Sequence, residues 1–167
     1  YIDDLKHKSI LKKNIRGKKN FYFIFTNHII PKSLLNKKNN IFINKHSSLL
    51  PSFKGLFPFI WSQINSSKNG VSIHLVEKKI DSGKVIFQKE IKKKFTSMVD
   101  FYMHVYQRSP EYLLKSFKNL KNKKFVKLSY KNSYYSLPKR SDIKKFLNCG
   151  GSVINLKDFF KILKFIE

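Results

Sequence analysis

The chain has 167 residues, 35 basic and 10 acidic, with a net charge of +25. That length suits one domain able to bury roughly 70% of the surface of its unfolded chain, and 41% hydrophobic residues, 16 Phe among them, argue against general disorder. No apolar run approaches the ~20 residues that span a bilayer, and the single cysteine, Cys149, excludes an internal disulfide framework and a multi-cysteine zinc site.

Residues 1–20 are polar and lysine-rich, with weak periodicity. Phe21–Phe25 is a short apolar run that reads as a buried strand. Pro31 suits the first position of a helical turn, and Ile41-Phe42-Ile43 reads as a second buried strand. Two all-apolar strands joined by a helical turn predict a parallel sheet covered on both faces. His46 to Gly55 is a loop with Ser47, Ser48, Pro51 and Gly55 as turn residues. Pro58 starts a helix through Trp61 and Ile64. Val71–Val76 and Val85–Ile91 read as paired strands, joined by a loop over Glu77–Gly83. From Thr96 to Leu120 the apolar spacing is helical, with a break or kink expected at Pro110. Phe125–Tyr130 reads as a strand. Ser141 is placed to cap a helix with Phe146 and Leu147 inward, stopped by Gly150-Gly151. Leu156–Ile166 reads as an amphipathic helix with Phe159, Phe160 and Leu163 on its apolar side.

One constellation carries chemistry. Asn44 and His46 follow directly on the strand Ile41–Ile43, and in an open sheet ligands bind at the carboxyl ends of strands. Two apart in an extended segment, they point to the same side. Asp81 lies in a later loop between two strands. Amide, imidazole and carboxylate are the parts that acyl transfer to an amine requires. The amide donates to a developing oxyanion, the imidazole donates or moves a proton, and the carboxylate orients the imidazole or a water. Among the neighbours, Trp61 reads as a helix core residue, His74 as a hydrogen-bonded structural residue, and Gly55 and Gly83 as servants of backbone geometry.

The stretch Asn44-Lys45-His46-Ser47-Ser48-Leu49-Leu50-Pro51, followed by Gly55, resembles the Asn-x-His-x-Ser-Leu-Leu-Pro signature of the folate-dependent formyltransferases. Gly70-Val71-Ser72-Ile73-His74 is similar to that family's Gly-Val-Thr-Ile-His strand, and Ile80-Asp81-Ser82-Gly83-Lys84-Val85-Ile86 to its Asp-x-Gly-Pro-Ile-Ile segment. The resemblance implies a doubly wound, Rossmann-like α/β sheet, here partial, with a mostly helical C-terminal extension. It implies a catalytic domain over residues 1–130 and a small helical extension over 131–167. Asn44, His46 and Asp81 fall on the family's catalytic triad. The co-substrate implied is 10-formyltetrahydrofolate, without a metal. Thr26, Asn27, His28, Ile29 and Ile30 resemble the segment lining the pteridine pocket, and Lys78, Lys79 and Ile80 the loop that closes over it.

Members of the family begin with about three βα units before the Asn strand. Only 43 residues precede Asn44 here, so the expectation is an N-terminally incomplete domain. The acceptor implied is the amine of an amino-sugar nucleotide or of methionyl-tRNA, and Gly55-Leu56-Phe57-Pro58-Phe59-Ile60-Trp61 looks like the Gly-x-x-Pro-x-x-Trp of the sugar-nucleotide enzymes. Two alternatives stand beside it. One is a formyltetrahydrofolate hydrolase, with water as the nucleophile. The other is an inactive or partner-completed fragment acting as a basic nucleic-acid-binding protein. Against the latter, Ala is absent, Lys, Ile, Phe and Asn make up 80 residues, and only three of the 35 basic residues are Arg. That pattern follows A/T-rich codons, whereas bidentate phosphate and base recognition favours Arg. The expected compartment is the cytoplasm, with no membrane partner.

Overall fold

The structure, a computed structural model, describes residues 19–24 and 29–166. In chain order the elements are β1 (Asn20–Ile24), α1 (Lys32–Leu35), β2 (Asn40–His46), β3 (Lys54–Gly55), α2 (Pro58–Ile64), β4 (Gly70–Leu75), β5 (Val85–Glu90), α3 (Met98–Lys121), β6 (Tyr134–Tyr135), α4 (Arg140–Asn148) and α5 (Leu156–Ile166).

The main sheet has the order β1-β2-β4-β5. β1 and β2 pair in parallel, from Asn20 opposite Asn40 to Ile24 opposite Asn44, as two apolar runs separated by a helical turn require. β4 runs antiparallel to β5, as the hairpin pairing of Val71–Val76 with Val85–Ile91 requires, and the nine residues between them hold no crossover helix. The departure from the parallel expectation is β4 against β2, which also pair antiparallel. The β4–β5 ladder slips between Ile73 and His74: Ile73 faces Phe87 while His74 faces Val85. A bulge of this kind re-aims the side chain beside it.

α3 lies across β4 and β5, and α2 packs against α4. Their common core holds Ile43, Phe59, Ile73, Ile86, Phe101, Val105 and Phe146. Phe59 stacks on Phe101 at 4.7 Å between ring centroids and meets Phe146 edge-on at 6.3 Å. Pro58 opens α2 at a position whose N–H has no helical partner in any case. Ser97 caps α3, its Oγ accepting the Asp100 N–H at 2.9 Å.

Five further expectations need correction. α3 runs unbroken through Pro110. The proline is exposed, and the Tyr106 carbonyl it deprives lies on an exposed residue that water can serve. Phe125–Tyr130 is not a strand; only the Val126 N–H reaches β5, at the Val85 carbonyl (2.9 Å). Ser141 lies inside α4 rather than at its cap. Its neighbour Asp142 does the capping, accepting the Lys139 N–H at 2.9 Å. Leu147 is 51% exposed while Phe146 is fully buried, because a single stripe through Ile143 and Phe146 faces the core. In α5 the side bearing Phe159, Phe160 and Leu163 is open to solvent, and Asp158 turns inward to accept from Ser97 Oγ and the Asn155 N–H. The short pairing of β3 with β6 was not anticipated. Two-residue strands carry too little pattern to be read.

Candidate active site

β2 delivers two of the three expected residues. Side chains alternate along a strand, so Asn44 and His46 share a face. Across the ladder Asn44 lies opposite His74 and His46 opposite Ser72, and opposed residues also share a face. The loop after His46 is clamped by that neighbouring strand. Ser72 Oγ donates to the Ser48 carbonyl (2.7 Å) and accepts the Leu50 N–H (3.0 Å). Gln88 Nε2 donates to the Leu50 carbonyl (2.8 Å) and to Ser72 Oγ (3.0 Å). Leu49 and Leu50 are buried beneath the loop.

Asp81 comes from the β4–β5 loop, at a left-handed φ of +48°. Its carboxylate reaches three groups. Oδ2 accepts the Gly55 N–H at 2.8 Å and lies 3.5 Å from His46 Nδ1. Oδ1 lies 3.4 Å from His74 Nε2. The other ring nitrogen of His46, Nε2, donates to the Phe53 carbonyl at 2.8 Å. Gly55 must be glycine here. At φ +94° its backbone is strained for any other residue, and an added Cβ would stand 2.1 Å from the Tyr135 carbonyl oxygen.

Burial is the largest influence on Asp81 and pushes its pKa up. The His74 imidazole beside it, the charge of His46 and the Gly55 N–H outweigh it and hold the carboxyl down to about 2. His46 is lowered, chiefly by burial, against the opposing pull of Asp81. Lys45, between the two expected residues, is brought down to about 8 by burial. Its ammonium donates to Ser109 Oγ at 3.0 Å and sits 3.6 Å above the Tyr106 ring.

These groups open onto a cleft of about 560 Å³ at the carboxyl ends of β1 and β2. Asn44, His46 and Asp81 line it together, with Ile29, Ile30, Lys78, Lys79 and Ile80 along the same wall. Thr26, Asn27 and His28 lie outside the described residues. The cleft also takes in His74, Phe57, Tyr102, Tyr106 and Tyr134, which were not read as site residues. Tyr102 and Tyr106 belong to the helical apolar spacing of Thr96–Leu120, which carries no sign of a site. Trp61 proves structural: its Nε1 donates to the Leu56 carbonyl (3.0 Å) and its ring stacks on Tyr135 at 4.5 Å. Among the described residues no group of three or more His, Cys, Asp or Glu side chains is placed to hold a metal ion, and no helix is long and apolar enough to cross a membrane.

A mixed sheet with an Asn-x-His strand end, a carboxylate locked across from it and a small-molecule cleft defines a class that sequence comparison also finds. The profile of the formyl transferase family matches residues 23–111, more than half of the chain, and the chain belongs to that family. Several relatives bear the name methionyl-tRNA formyltransferase. That of Thermodesulfovibrio yellowstonii is 39% identical over 64 residues, covering 38% of this chain and 21% of its own. That of Prochlorococcus marinus strain MIT 9515 is 29% identical over 141 residues, covering 83% of this chain and 41% of its own. The chain therefore spans well under half the length of these relatives. Among solved structures, the formyltransferase PseJ from Anoxybacillus kamchatkensis, in complex with UDP-4,6-dideoxy-4-formamido-L-AltNAc and tetrahydrofolate, superposes with a TM-score of 0.63 at 26% identity. It covers 89% of this chain and 77% of that one. A 4-N formyltransferase from Francisella tularensis gives a TM-score of 0.65 at 25% identity, covering 89% and 66%.

Proposed function

We propose that this chain carries the catalytic centre of an N-formyltransferase using 10-formyltetrahydrofolate, with an amino-sugar nucleotide as the first acceptor to test and methionyl-tRNA as the second. The observation that carries the reading is the meeting of Asn44, His46 and Asp81 on one cleft, with Asp81 anchored on both oxygens. The cleft fits such a co-substrate. Its volume of about 560 Å³ is that of a small-molecule site, and Ile24, Ile29 and Ile30 give a flat heterocycle an apolar wall beside the loop from Val76 to Ile80. When bound, 10-formyltetrahydrofolate supplies the formyl carbon.

The chain's own residues then divide the work. The Asn44 amide donates to the oxygen that gains negative charge as the amine attacks. Asp81, ionised at neutral pH, takes the proton that the attacking nitrogen must lose, directly or through one water. His46 keeps that carboxylate facing the cleft. With Nε2 held by the Phe53 carbonyl, it also donates to the oxyanion once the ring turns away from that carbonyl. A C–N bond to the acceptor forms, the C–N bond to the folate breaks, and the proton leaves with the folate nitrogen. Residues 1–130 would form this catalytic unit and 131–167 its helical extension.

The test is direct. The chain is mixed with 10-formyltetrahydrofolate and, separately, an amino-sugar nucleotide, methionyl-tRNA, or buffer alone, and tetrahydrofolate release and formylated product are followed. Product with one amine and none in the Asp81→Asn protein supports the reading. Tetrahydrofolate release without any amine points to hydrolysis. No release above the Asp81→Asn background with any acceptor sinks it.

A further inference from the structure

His74 read as a structural histidine from its place inside a strand, yet its surroundings give it a proton to hold. Nδ1 lies 2.8 Å from the Leu75 carbonyl oxygen. A carbonyl only accepts, so Nδ1 carries hydrogen. In a neutral ring, Nε2 would then present a lone pair. That nitrogen is buried without a hydrogen-bond partner among the described residues, and the group facing it is Asp81 Oδ1 at 3.4 Å. The two side chains are 2% and 8% exposed. A lone pair set against a carboxylate, away from water, is repulsive on both sides. A proton between them turns the same contact into a charge-assisted pair.

His46 repeats the arrangement, with Nε2 donating to the Phe53 carbonyl and Nδ1 turned to the other oxygen of Asp81. The two contacts are not equivalent. Oδ2, on the His46 side, already accepts the Gly55 N–H. Oδ1 has His74 alone. The register slip in β4–β5 falls at His74, and such a bulge re-aims the side chain beside it. Gly83 packs so closely on the Leu75 carbonyl that an added Cβ would lie 1.8 Å from its oxygen, which keeps that carbonyl aimed at the ring.

We infer that His74 is a positioning residue whose Nε2 shares a proton with Asp81 Oδ1, so that His46, Asp81 and His74 form one buried unit that keeps the Asp81 carboxylate ionised and aimed at the cleft. The inference deepens the formyl-transfer reading and, as regards turnover, rests on it. The other charged groups lining the same cleft are Lys32 from α1, Lys45 from β2, and Glu77, Lys78 and Lys79 from the loop.

The test needs two readouts. Imidazole ¹⁵N NMR on the chain at pH 7 should show both His74 nitrogens protonated, and a singly protonated His74 in the Asp81→Asn protein. This readout does not depend on turnover. Kinetics then compare His74→Phe, which keeps the ring shape and loses the donor, with His74→Gln, which restores an N–H near the Nε2 position. His74→Phe should lower kcat roughly 10- to 100-fold, the scale for losing an orienting partner. Both KM values should stay within about threefold and the acid limb of the pH profile should move up. His74→Gln should recover most of the loss. A singly protonated His74 opposite an ionised Asp81 would overturn the assignment, as would equal losses in the Phe and Gln proteins. A chain that holds the proton as described but transfers no formyl group with any acceptor leaves the proton assignment standing and defeats the functional reading instead.

Discussion

Replacing Gly55 with Ala strikes the point where the Asn-x-His loop, Asp81 and the β3–β6 pairing meet. Three costs add. A non-glycine residue at φ +94° carries backbone strain of about 1–3 kcal/mol. The new Cβ would sit 2.1 Å from the Tyr135 carbonyl oxygen, so β6 must move. That movement stretches the Gly55 N–H bond to Asp81, and a hydrogen bond to a charged group is worth roughly 1.5–3 kcal/mol. The expected loss is about 3–6 kcal/mol, against a total of only about 5–15 for a typical domain. Gly150→Ala is the control. Gly150 also has positive φ, +77°, but a Cβ there meets nothing within 4 Å. It should therefore cost only the backbone share. Urea denaturation of both proteins, with turnover on the same samples, separates strain from contact. If Gly55→Ala costs no more than Gly150→Ala, the crowding at Tyr135 and the tie to Asp81 do not stabilise this fold.

Three more outcomes are expected. Asp81→Asn should keep the fold and lower kcat by about two to four orders of magnitude, the range for an acid–base or oxyanion contact; a loss under tenfold with a lowered melting point would assign Asp81 to loop stability alone. Because the Asp81 carboxyl is held at about 2 in the folded chain, below its ordinary 3.8, its stabilising share is complete above about pH 4 and disappears as pH falls through about 2. The stability gap between native and Asp81→Asn proteins should shrink by roughly 2 kcal/mol across that window, and denaturation curves showing a constant gap would refute it. After reductive ¹³C-methylation, the Lys45 signal should titrate near 8, as burial of its ammonium requires; a midpoint above 10 would mean that the ammonium stays hydrated.

β1 and β2 were legible from the continuous apolar runs Phe21–Ile24 and Ile41–Ile43, and β4 and β5 from their β-branched residues on either side of the Asp81-Ser82-Gly83 turn. The motif residues were legible because the apolar run Ile41–Ile43 of β2 gives way to the polar stretch Asn44-Lys45-His46. What sequence spacing hides is the second partner of each group. Nothing in Gly70–Leu75 tells that the β5 register slips at His74 and turns a strand histidine toward Asp81. The helical period of Thr96–Leu120 does not say where the helix overhangs its sheet; there Tyr106 is 56% exposed and covers Lys45. Pro110 misled for a related reason: it and Tyr106, whose carbonyl it deprives, both lie on the exposed side of α3, where water can take the lost bond. Phe125–Tyr130 had strand composition but met a sheet edge that offered it a single bond.

The clamp made by Ser72 and Gln88 has a consequence for how such a site can diversify. Both residues grip the His46 loop from β4 and β5, and the same two strands bracket the turn that bears Asp81. Most of what fixes the reacting groups relative to one another thus lies between Asn40 and Glu90, joined by the pairing of β1 along β2 up to Asn44 and by Lys131, Ser133 and β6, which brace the loop from Pro51 to Gly55. The aromatic rim of Tyr102, Tyr106 and Tyr134 lies outside that stretch, on a helix and a short strand. Substitution of Tyr102 or Tyr106 would reshape what the cleft admits without touching amide, imidazole or carboxylate, so on the proposed function acceptor preference and chemical competence would be free to drift at separate rates.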